Sequence, residues 1–316
     1  MVNNKKLASN YFVMKVLVTG SRGFVGKELV IALKKTGFEV REFDLRLGND
    51  LSDEKQCAEA AKGNEIVFHL AAVLDEESPL LHKVNVEGTK NILEASAKAR
   101  VKQFVFLSSV GVHGKAKSIV SEESPLMPET AYEKTKAEAE KIVLEFQETM
   151  FVTIIRSALI LGANNYWKSI VHLVEKNFPL PGKADNIFQT IFIRDLVSAI
   201  LFCANNRNCF GETFIVANSE KKTLKEICRE IKNILGLKGE IKTIPIGIAK
   251  IIAYLNLIKN KLTGKKSLLE PAYINRVLHE RNYNVSKIAK AGWQPRYSTE
   301  NALKETVQEI KAGGQK

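Results

Sequence analysis

The feature that most limits what this chain can become is a glycine-spaced turn wedged between a strand and a helix. Lys15–Thr19 (KVLVT) is a continuous apolar run of the kind that forms a strand buried on both faces. Gly20-Ser-Arg-Gly23-Phe-Val-Gly26 follows at once, and a helical pattern over Phe24–Thr36 begins inside it, with Gly37 as its stop. Glycines let a backbone turn tightly and approach a bound group closely. The helix start then points free N–H groups and the positive end of its dipole at the same spot. Strand, glycine turn and helix in this order predict a seat for the pyrophosphate of a dinucleotide, built from Gly20, Arg22, Gly23, Phe24, Val25 and Gly26. The spacing is GxxGxxG rather than the commoner GxGxxG.

Strand and helix patterns then alternate. Strands are expected at Glu39–Phe43, Glu65–Leu70, Gln103–Leu107 and Phe151–Arg156. Helices are expected at Asp53–Lys62 with Ser52 as N-cap, at Leu80–Ala99 and at Ala131–Glu148. This alternation predicts an α/β protein: a Rossmann-type doubly wound parallel sheet with a smaller, mostly helical C-terminal substrate lobe. The nucleotide-binding part would span 14–160, with elements at about 190–217 returning to it, among them strands Thr190–Ile193 and Thr213–Val216 around a helix Asp195–Ala204. Residues 161–189 and 218–316, including a strand Ile241–Ile244, would form the lobe, and 1–13 a flexible extension.

Asp44 ends the second strand, where a carboxylate can accept from the 2′-hydroxyl of an adenosine ribose, so NAD is expected rather than NADP. Arg22 and Arg46 lie nearby and could meet a 2′-phosphate instead. Asp50 and Leu51 follow a turn and could close over the adenine; a helix-start aspartate would look the same. Tyr132 and Lys136 stand four apart, on one face of a helix. A free phenol is a poor base at neutral pH, and a nearby ammonium would lower its pKa. Ser109 follows the fourth strand, at the end that faces the ligand crevice in such sheets, with Ser108 as its rival. A hydroxyl there can hold a reacting oxygen.

Other functions find less support. Cys57, Cys203, Cys209 and Cys228 have no metal-like or redox-pair spacing and read as buried thiols of a reducing compartment, so a cytoplasmic location and no metal are expected. No secretory signal and no membrane span are expected. The net charge is +12, and all of it falls in residues 221–316, which hold twenty Lys and Arg against eight Glu. That could draw an anionic substrate, nucleic acid or a membrane; the lysines are scattered, which suits a solvated surface, and no nucleic-acid partner is expected. The apolar stretch Ile244–Lys259 could lie on a membrane, but a core helix of the lobe is the preferred reading. His69 and His113 read as packed or capping residues, with substrate contact by His113 a lesser reading.

Taken in order, Val18-Thr19-Gly20-Ser-Arg-Gly23-Phe-Val-Gly26, His69-Leu-Ala-Ala72, Asn85-Val-Glu-Gly88-Thr89, Leu107-Ser108-Ser109, Tyr132-x-x-x-Lys136 and Gly292-Trp293-x-Pro295 resemble the extended short-chain dehydrogenase/reductase family, in particular its NAD-dependent epimerase/dehydratase group. The resemblance spans nearly the whole chain. It implies Ser109, Tyr132 and Lys136 as catalytic triad, Lys136 also holding the nicotinamide ribose, and Leu70, Ala71, Ala72 and Asn85 along the cofactor. It also implies a homodimer that pairs the Asn85 and Tyr132 helices, with Ala137 and Ala139 permitting close packing. The chain departs from the family pattern at His113-Gly114, where Tyr-Gly is common, and at Thr135, where Ser is common. Phe188 stands where sugar-nucleotide enzymes commonly have Arg. No acidic residue follows Ser109 in Ser109-Val110-Gly111, which argues against dehydration. The expected activity is hydride transfer at a secondary alcohol or ketone, giving epimerisation or oxidation, on a nucleoside-diphosphate sugar. The alternatives are a hydroxysteroid-dehydrogenase-like or flavonol-reductase-like enzyme on an apolar alcohol, which Phe188, Phe192 and the 244–258 stretch would suit, and a non-catalytic dinucleotide-binding subunit.

Overall fold

The apolar runs that open the chain stack side by side. A computed structural model describes residues 13–115, 118–263, 274 and 277–313; the expected extension 1–13 lies outside them except for Val13. Strands β1 (Lys15–Thr19), β2 (Glu39–Phe43), β3 (Ile66–His69), β4 (Gln103–Ser109) and β5 (Phe151–Ser157) belong to one sheet. Beyond them come β6 (Leu159–Leu161), β7 (Leu180–Pro181), β8 (Thr190–Phe192), β9 (Glu212–Val216) and β10 (Thr243–Ile244). The main sheet has six strands in the order β2-β1-β3-β4-β5-β9, and every pair is parallel. β1 leads outward to β2 while β3 lies on its other side, so the connections diverge between β1 and β3, which is where such sheets open a ligand crevice.

The helices are α1 (Phe24–Lys35), α2 (Glu54–Ala61), α3 (Gly88–Lys98), α4 (Ala131–Glu145), α5 (Asn165–Glu175), α6 (Ile193–Cys203), α7 (Leu224–Ile234), α8 (Ile246–Thr263), α9 (Ser286–Ala291) and α10 (Thr299–Gly313). On one face of the sheet, Leu29 and Leu33 of α1 and Leu196 and Ile200 of α6 pack over Val16, Val18, Phe68 and Val105. On the other, Cys57 of α2, Ile92 of α3 and Ala139 and Val143 of α4 cover Leu17, Val67, Phe104 and Phe106. The Rossmann-type doubly wound sheet is thus borne out. A further core unites Trp167, Phe188, Phe192, Ile227 and Leu303 in the mostly helical remainder.

Local departures from expectation have physical causes. Asp53, not Ser52, caps α2, because its carboxylate accepts from both Lys55 N and Gln56 N. The helix expected over Leu80–Ala99 is present and continuous over 81–98, but it contains a π-helical turn at Lys83–Glu87, which carries the buried Asn85. β8 does not return to the main sheet but pairs with β6. Only Thr243–Ile244 of the expected strand Ile241–Ile244 pairs, and it does so with β7. Phe188 and Phe192 are buried in the lobe core and line no apolar cleft. Ala137 and Ala139 are buried inside the chain, with Ala139 in the core beneath the sheet, so they are not free to meet a partner.

The C-terminal segment is bound back onto the sheet layer. Asp195, in the first turn of α6, accepts from Arg296 N and Tyr297 N at 2.9 and 3.2 Å. Trp293 packs in the sheet core, and its Nε1 donates to Ser198 Oγ.

A buried ion pair clamps α4 to β5. Arg156 meets Glu140 at 2.8 Å, also donates to Glu122 O, and donates from Nη1 to His113 Nε2. Pro125 O can only accept, so His113 Nδ1 carries the proton at that 3.1 Å contact. His113 is therefore a neutral packing residue, and burial next to Arg156 keeps its pKa low. Removing one partner of such a pair strands a buried charge. Arg156→Leu is expected to cost about 3–5 kcal/mol, read in a denaturant titration; a change below about 1 kcal/mol would contradict the buried pairing.

Candidate active site

At the crevice the backbone itself comes close. Gly20 adopts φ +69°, and a Cβ there would lie 2.7 Å from Ala71 Cα, on the strand-end segment after β3. A Cβ on Gly26 would lie 2.0 Å from Gly20 O. Both positions therefore exclude any side chain. Gly23 N donates to Gly20 O, closing the turn, and Gly23 occupies the N-cap of α1. No side chain caps α1 and no acidic residue sits in its first turn, so its leading N–H groups remain open to an anion. Ser21 adds a buried hydroxyl whose oxygen has no hydrogen-bond partner among the described residues. Val25 points its side chain into the sheet core and Phe24 packs over Gly162. These residues fit the diphosphate of a dinucleotide.

Asp44 sits at the tip of β2. Its two oxygens accept from Arg22 N and Arg46 N, both at 2.9 Å. The Arg22 guanidinium pairs with Glu42 at 3.2 Å, and Arg46 donates to Arg22 O at 2.8 Å. Both arginines are thus held by the protein, and the carboxylate is the polar group presented at this corner. Asp50 accepts from Ser52 N and forms the turn before α2. Leu51 is buried, and its carbonyl accepts from Asn91.

The segment after β3 is braced from below. Thr89 Oγ1 donates to Asn85 O, so His69 Nε2 must donate to Thr89 Oγ1 and its Nδ1 accept from Thr19 Oγ1 at 2.6 Å. Burial, with the charge of Lys136, drives the His69 pKa down to about 3, so the ring stays neutral. Asn85 accepts from Val73 N and donates to Val73 O and to Thr135 Oγ1. Its amide thereby ties the loop beyond Leu70, Ala71 and Ala72 to α4. Thr135 supplies the hydroxyl for that tie, and only the fold brings the two together.

α4 begins with a reciprocal cap: Thr130 Oγ1 accepts from Glu133 N, and Glu133 accepts from Thr130 N. This fixes Tyr132 at the helix start and Lys136 one turn later. Ser109 ends β4, where its Oγ accepts from Gly111 N at 3.1 Å. A Cβ on Gly111 would stand 3.3 Å from Ser109 Oγ and 2.9 Å from Glu133 Cγ, so Ser109 and the start of α4 flank the same gap. Ser109 is half-exposed there, whereas Ser108 is buried with an unpartnered hydroxyl. Lys136 Nζ lies 3.9 Å over the Phe106 ring.

The protonation states differ from the sequence expectation. Burial pushes the Lys136 ammonium down to about 7, opposed by Glu140. Burial and the Glu133 charge push the Tyr132 phenol up to about 12. Desolvation outweighs the help expected from the ammonium, because Lys136 is itself stacked in an apolar setting. In this state Tyr132 keeps its proton.

The lobe also carries charged and titratable side chains that the motifs did not single out. Arg281 lies over the Phe188 ring at 4.2 Å. Its charge reaches Tyr283 and His279, which also feel Glu133, the neighbour of Tyr132. Among the described residues no group of three His, Cys, Asp or Glu side chains could hold a metal ion.

Residues 16–217 match the model of the NAD-dependent epimerase/dehydratase family. The chain belongs to that family. It is an NAD-dependent enzyme of the extended short-chain dehydrogenase/reductase type, as the order of its motifs implied. It is 26% identical over 312 residues to N-acetyl-alpha-D-glucosaminyl-diphospho-ditrans,octacis-undecaprenol 4-epimerase of Escherichia coli O157:H7, covering 93% of this chain and 94% of that protein. It is 26% identical over 330 residues to a 3-beta-hydroxysteroid dehydrogenase of Mycolicibacterium neoaurum, covering 93% and 90%. The solved structure of UDP-glucose 4-epimerase from Thermotoga maritima, with UDP-glucose, shares the fold with a TM-score of 0.75 at 21% identity, over 95% of this chain and 99% of that one. A short-chain dehydrogenase/reductase from Agrobacterium tumefaciens with bound NAD gives 0.73 at 22% identity, over 95% and 98%.

The Lys136 shift has a testable sign. Its pKa is about 7 folded against 10.5 unfolded, so between these values the unfolded chain binds the extra proton. The cofactor-free protein should therefore gain stability from this group as pH rises through that window. Lys136→Met should lose that increment, which thermal melts of both proteins at the two ends of the window would reveal as different slopes.

Proposed function

We propose that this enzyme transfers hydride at a secondary alcohol or ketone of a sugar carried on a diphosphate, with a nucleoside-diphosphate sugar as the first candidate, and that Ser109, Tyr132 and Lys136 do the chemistry. The observation that carries this reading is the start of α4: a reciprocally capped helix holds Tyr132 and Lys136 one turn apart, with its first turn close to Ser109. Gly20, Gly23 and Gly26 with the open end of α1 hold the diphosphate of NAD, Asp44 its adenosine ribose, and Lys136 its nicotinamide ribose. Arg22, Phe24, Val25, Asp50, Leu51, Leu70, Ala71 and Ala72 line the cofactor, and Asn85 holds the last of these segments in place. The engagement of Arg22 with Glu42 and of Arg46 with Arg22 O favours NAD over NADP.

Bound, NAD supplies the hydride acceptor and, when oxidised, a positive charge near the phenol. Ser109 Oγ donates to the substrate oxygen. With its own proton first released under that positive charge, the Tyr132 phenolate would take the carbinol proton as the C–H hydride leaves, and return it in the reverse direction. A ketone that departs completes an oxidation; one that turns over before the hydride returns gives the epimer. The Arg281 guanidinium favours an anionic handle, and relatives named for UDP-glucose and for a diphospho-undecaprenol sugar support the diphosphate. Burial of Phe188 and Phe192 removes two residues that would have suited an apolar substrate.

The nucleotide-binding part is assigned to 14–160 with about 190–217, and the substrate lobe to 161–189 and 218–316. The four cysteines are free and buried, which supports a reducing, cytoplasmic setting. Among the described residues no helix is long and apolar enough to cross a membrane. A homodimer would pair α3 and α4 with their copies through exposed Lys134, Glu138 and Leu144. Sedimentation velocity should then show a two-chain species that Leu144→Glu weakens; a single-chain species at all concentrations would dismiss the dimer.

The chemistry is tested by Tyr132→Phe. Turnover should fall about 10²–10⁴-fold, while NADH affinity, read by fluorescence, stays near the wild-type value. Undiminished turnover would remove Tyr132 from the mechanism. UDP-sugars, a polyprenyl-diphosphate sugar and sterols should be offered in parallel. Turnover of sterols alone would replace the proposed substrate.

A further inference from the structure

Helix α8 carries its apolar residues on the wrong side for a core helix. Small Ala249 and Ala253 face the protein, packing with Ile274, Ile244 and Leu278. Ile246, Ile248, Ile251, Tyr254, Leu255 and Ile258 face outward, each between 42 and 62% exposed. Ile248, Ile251, Leu255 and Ile258 follow steps of three and four, so they form one stripe along the helix. A soluble helix puts its large apolar residues inward and polar ones outward. The core-helix expectation for 244–259 is thus corrected: alanines make the inner contact, and the larger residues are left uncovered.

Charge identifies what covers the stripe. No Asp or Glu occurs between Glu240 and Glu270, whereas Lys242, Lys250, Lys259, Lys261, Lys265 and Lys266 all fall there. At about 100° per residue, the exposed Lys250 borders the stripe on one side. A second copy of the helix would set lysines against lysines with no carboxylate to offset them, which disfavours self-pairing. A nucleic acid would leave the apolar stripe in water. No described helix can cross a membrane. An anionic bilayer meets both demands: the stripe enters the boundary of the acyl chains, Tyr254 lies at headgroup level, and lysines reach the phosphates.

We propose that α8 seats the protein on the surface of an anionic lipid bilayer, lying in its plane through Ile248, Ile251, Tyr254, Leu255 and Ile258. The assignment does not depend on the substrate reading.

The test uses the full chain with NADH bound and sedimented with vesicles. Vesicles of phosphatidylcholine mixed with phosphatidylglycerol should carry the protein down, vesicles of phosphatidylcholine alone much less, and added salt should release it. Ile251→Glu with Leu255→Glu should lower partitioning about tenfold or more, with NADH affinity unchanged. Should that variant fail to fold, Tyr254→Trp serves instead: its emission should shift to the blue on anionic vesicles. Equal partitioning of wild type and variant, absence of wild-type binding, or an unshifted emission would overturn the proposal. So would failure to bind vesicles combined with loss of an oligomer in the variant, which would assign the stripe to a second copy.

Discussion

The close approach of Gly20 to Gly26 and Ala71 is the constraint on which the rest depends. A single methyl at position 26 would stand 2.0 Å from the Gly20 carbonyl. Without a side chain there, α1 can start within one turn of β1, and its open N–H groups face the point where the sheet connections diverge. The diphosphate seat proposed above rests on that one contact. Ser109 and the start of α4 follow the next strand in the sheet order, beyond β3.

Holding the reactive side chains there requires more than strand order. α4 is fixed at three points: its reciprocal cap at Thr130 and Glu133, the Asn85 amide at Thr135, and the Glu140–Arg156 pair against β5. The first sets rotation, the second distance from the β3 loop, the third distance from the sheet. Between the second and third lies Lys136, whose ammonium rests on Phe106 and is discouraged from charging by that setting. α4 is thus placed by polar contacts at its edges and by the buried Ala137 and Ala139.

Much of this was legible in the residues. Unbroken apolar runs announced buried parallel strands, and the glycine spacing announced a backbone turn too tight for side chains. That Tyr132 and Lys136 share one helix followed from their spacing. Other features resisted for physical reasons. Ser52 and Asp53 are both able caps, and only the geometry of Lys55 N and Gln56 N separates them. The pairing of β8 with β6 is long-range, and no local pattern encodes it. The pKa of Tyr132 depends on how deeply the fold desolvates it, which helical spacing does not report. His113, Arg156 and Glu140 come from three separate elements, so their network exists only after folding. The outward stripe of α8 was hidden because apolar composition says how much must be covered and not which side covers it.

The anchoring of Arg296 and Tyr297 on Asp195 has a consequence for how the polypeptide is made. Residues up to Val216 contain the whole main sheet, yet Trp293 fills a place in its core and the Asp195 carboxylate finds its N–H donors only at Arg296 and Tyr297. A growing chain on the ribosome thus holds an incompletely covered layer and an unsatisfied acid until residues 293–297 emerge. Closure of the sheet layer waits for that late segment, and a fragment ending after β9 would lack the piece that seals it.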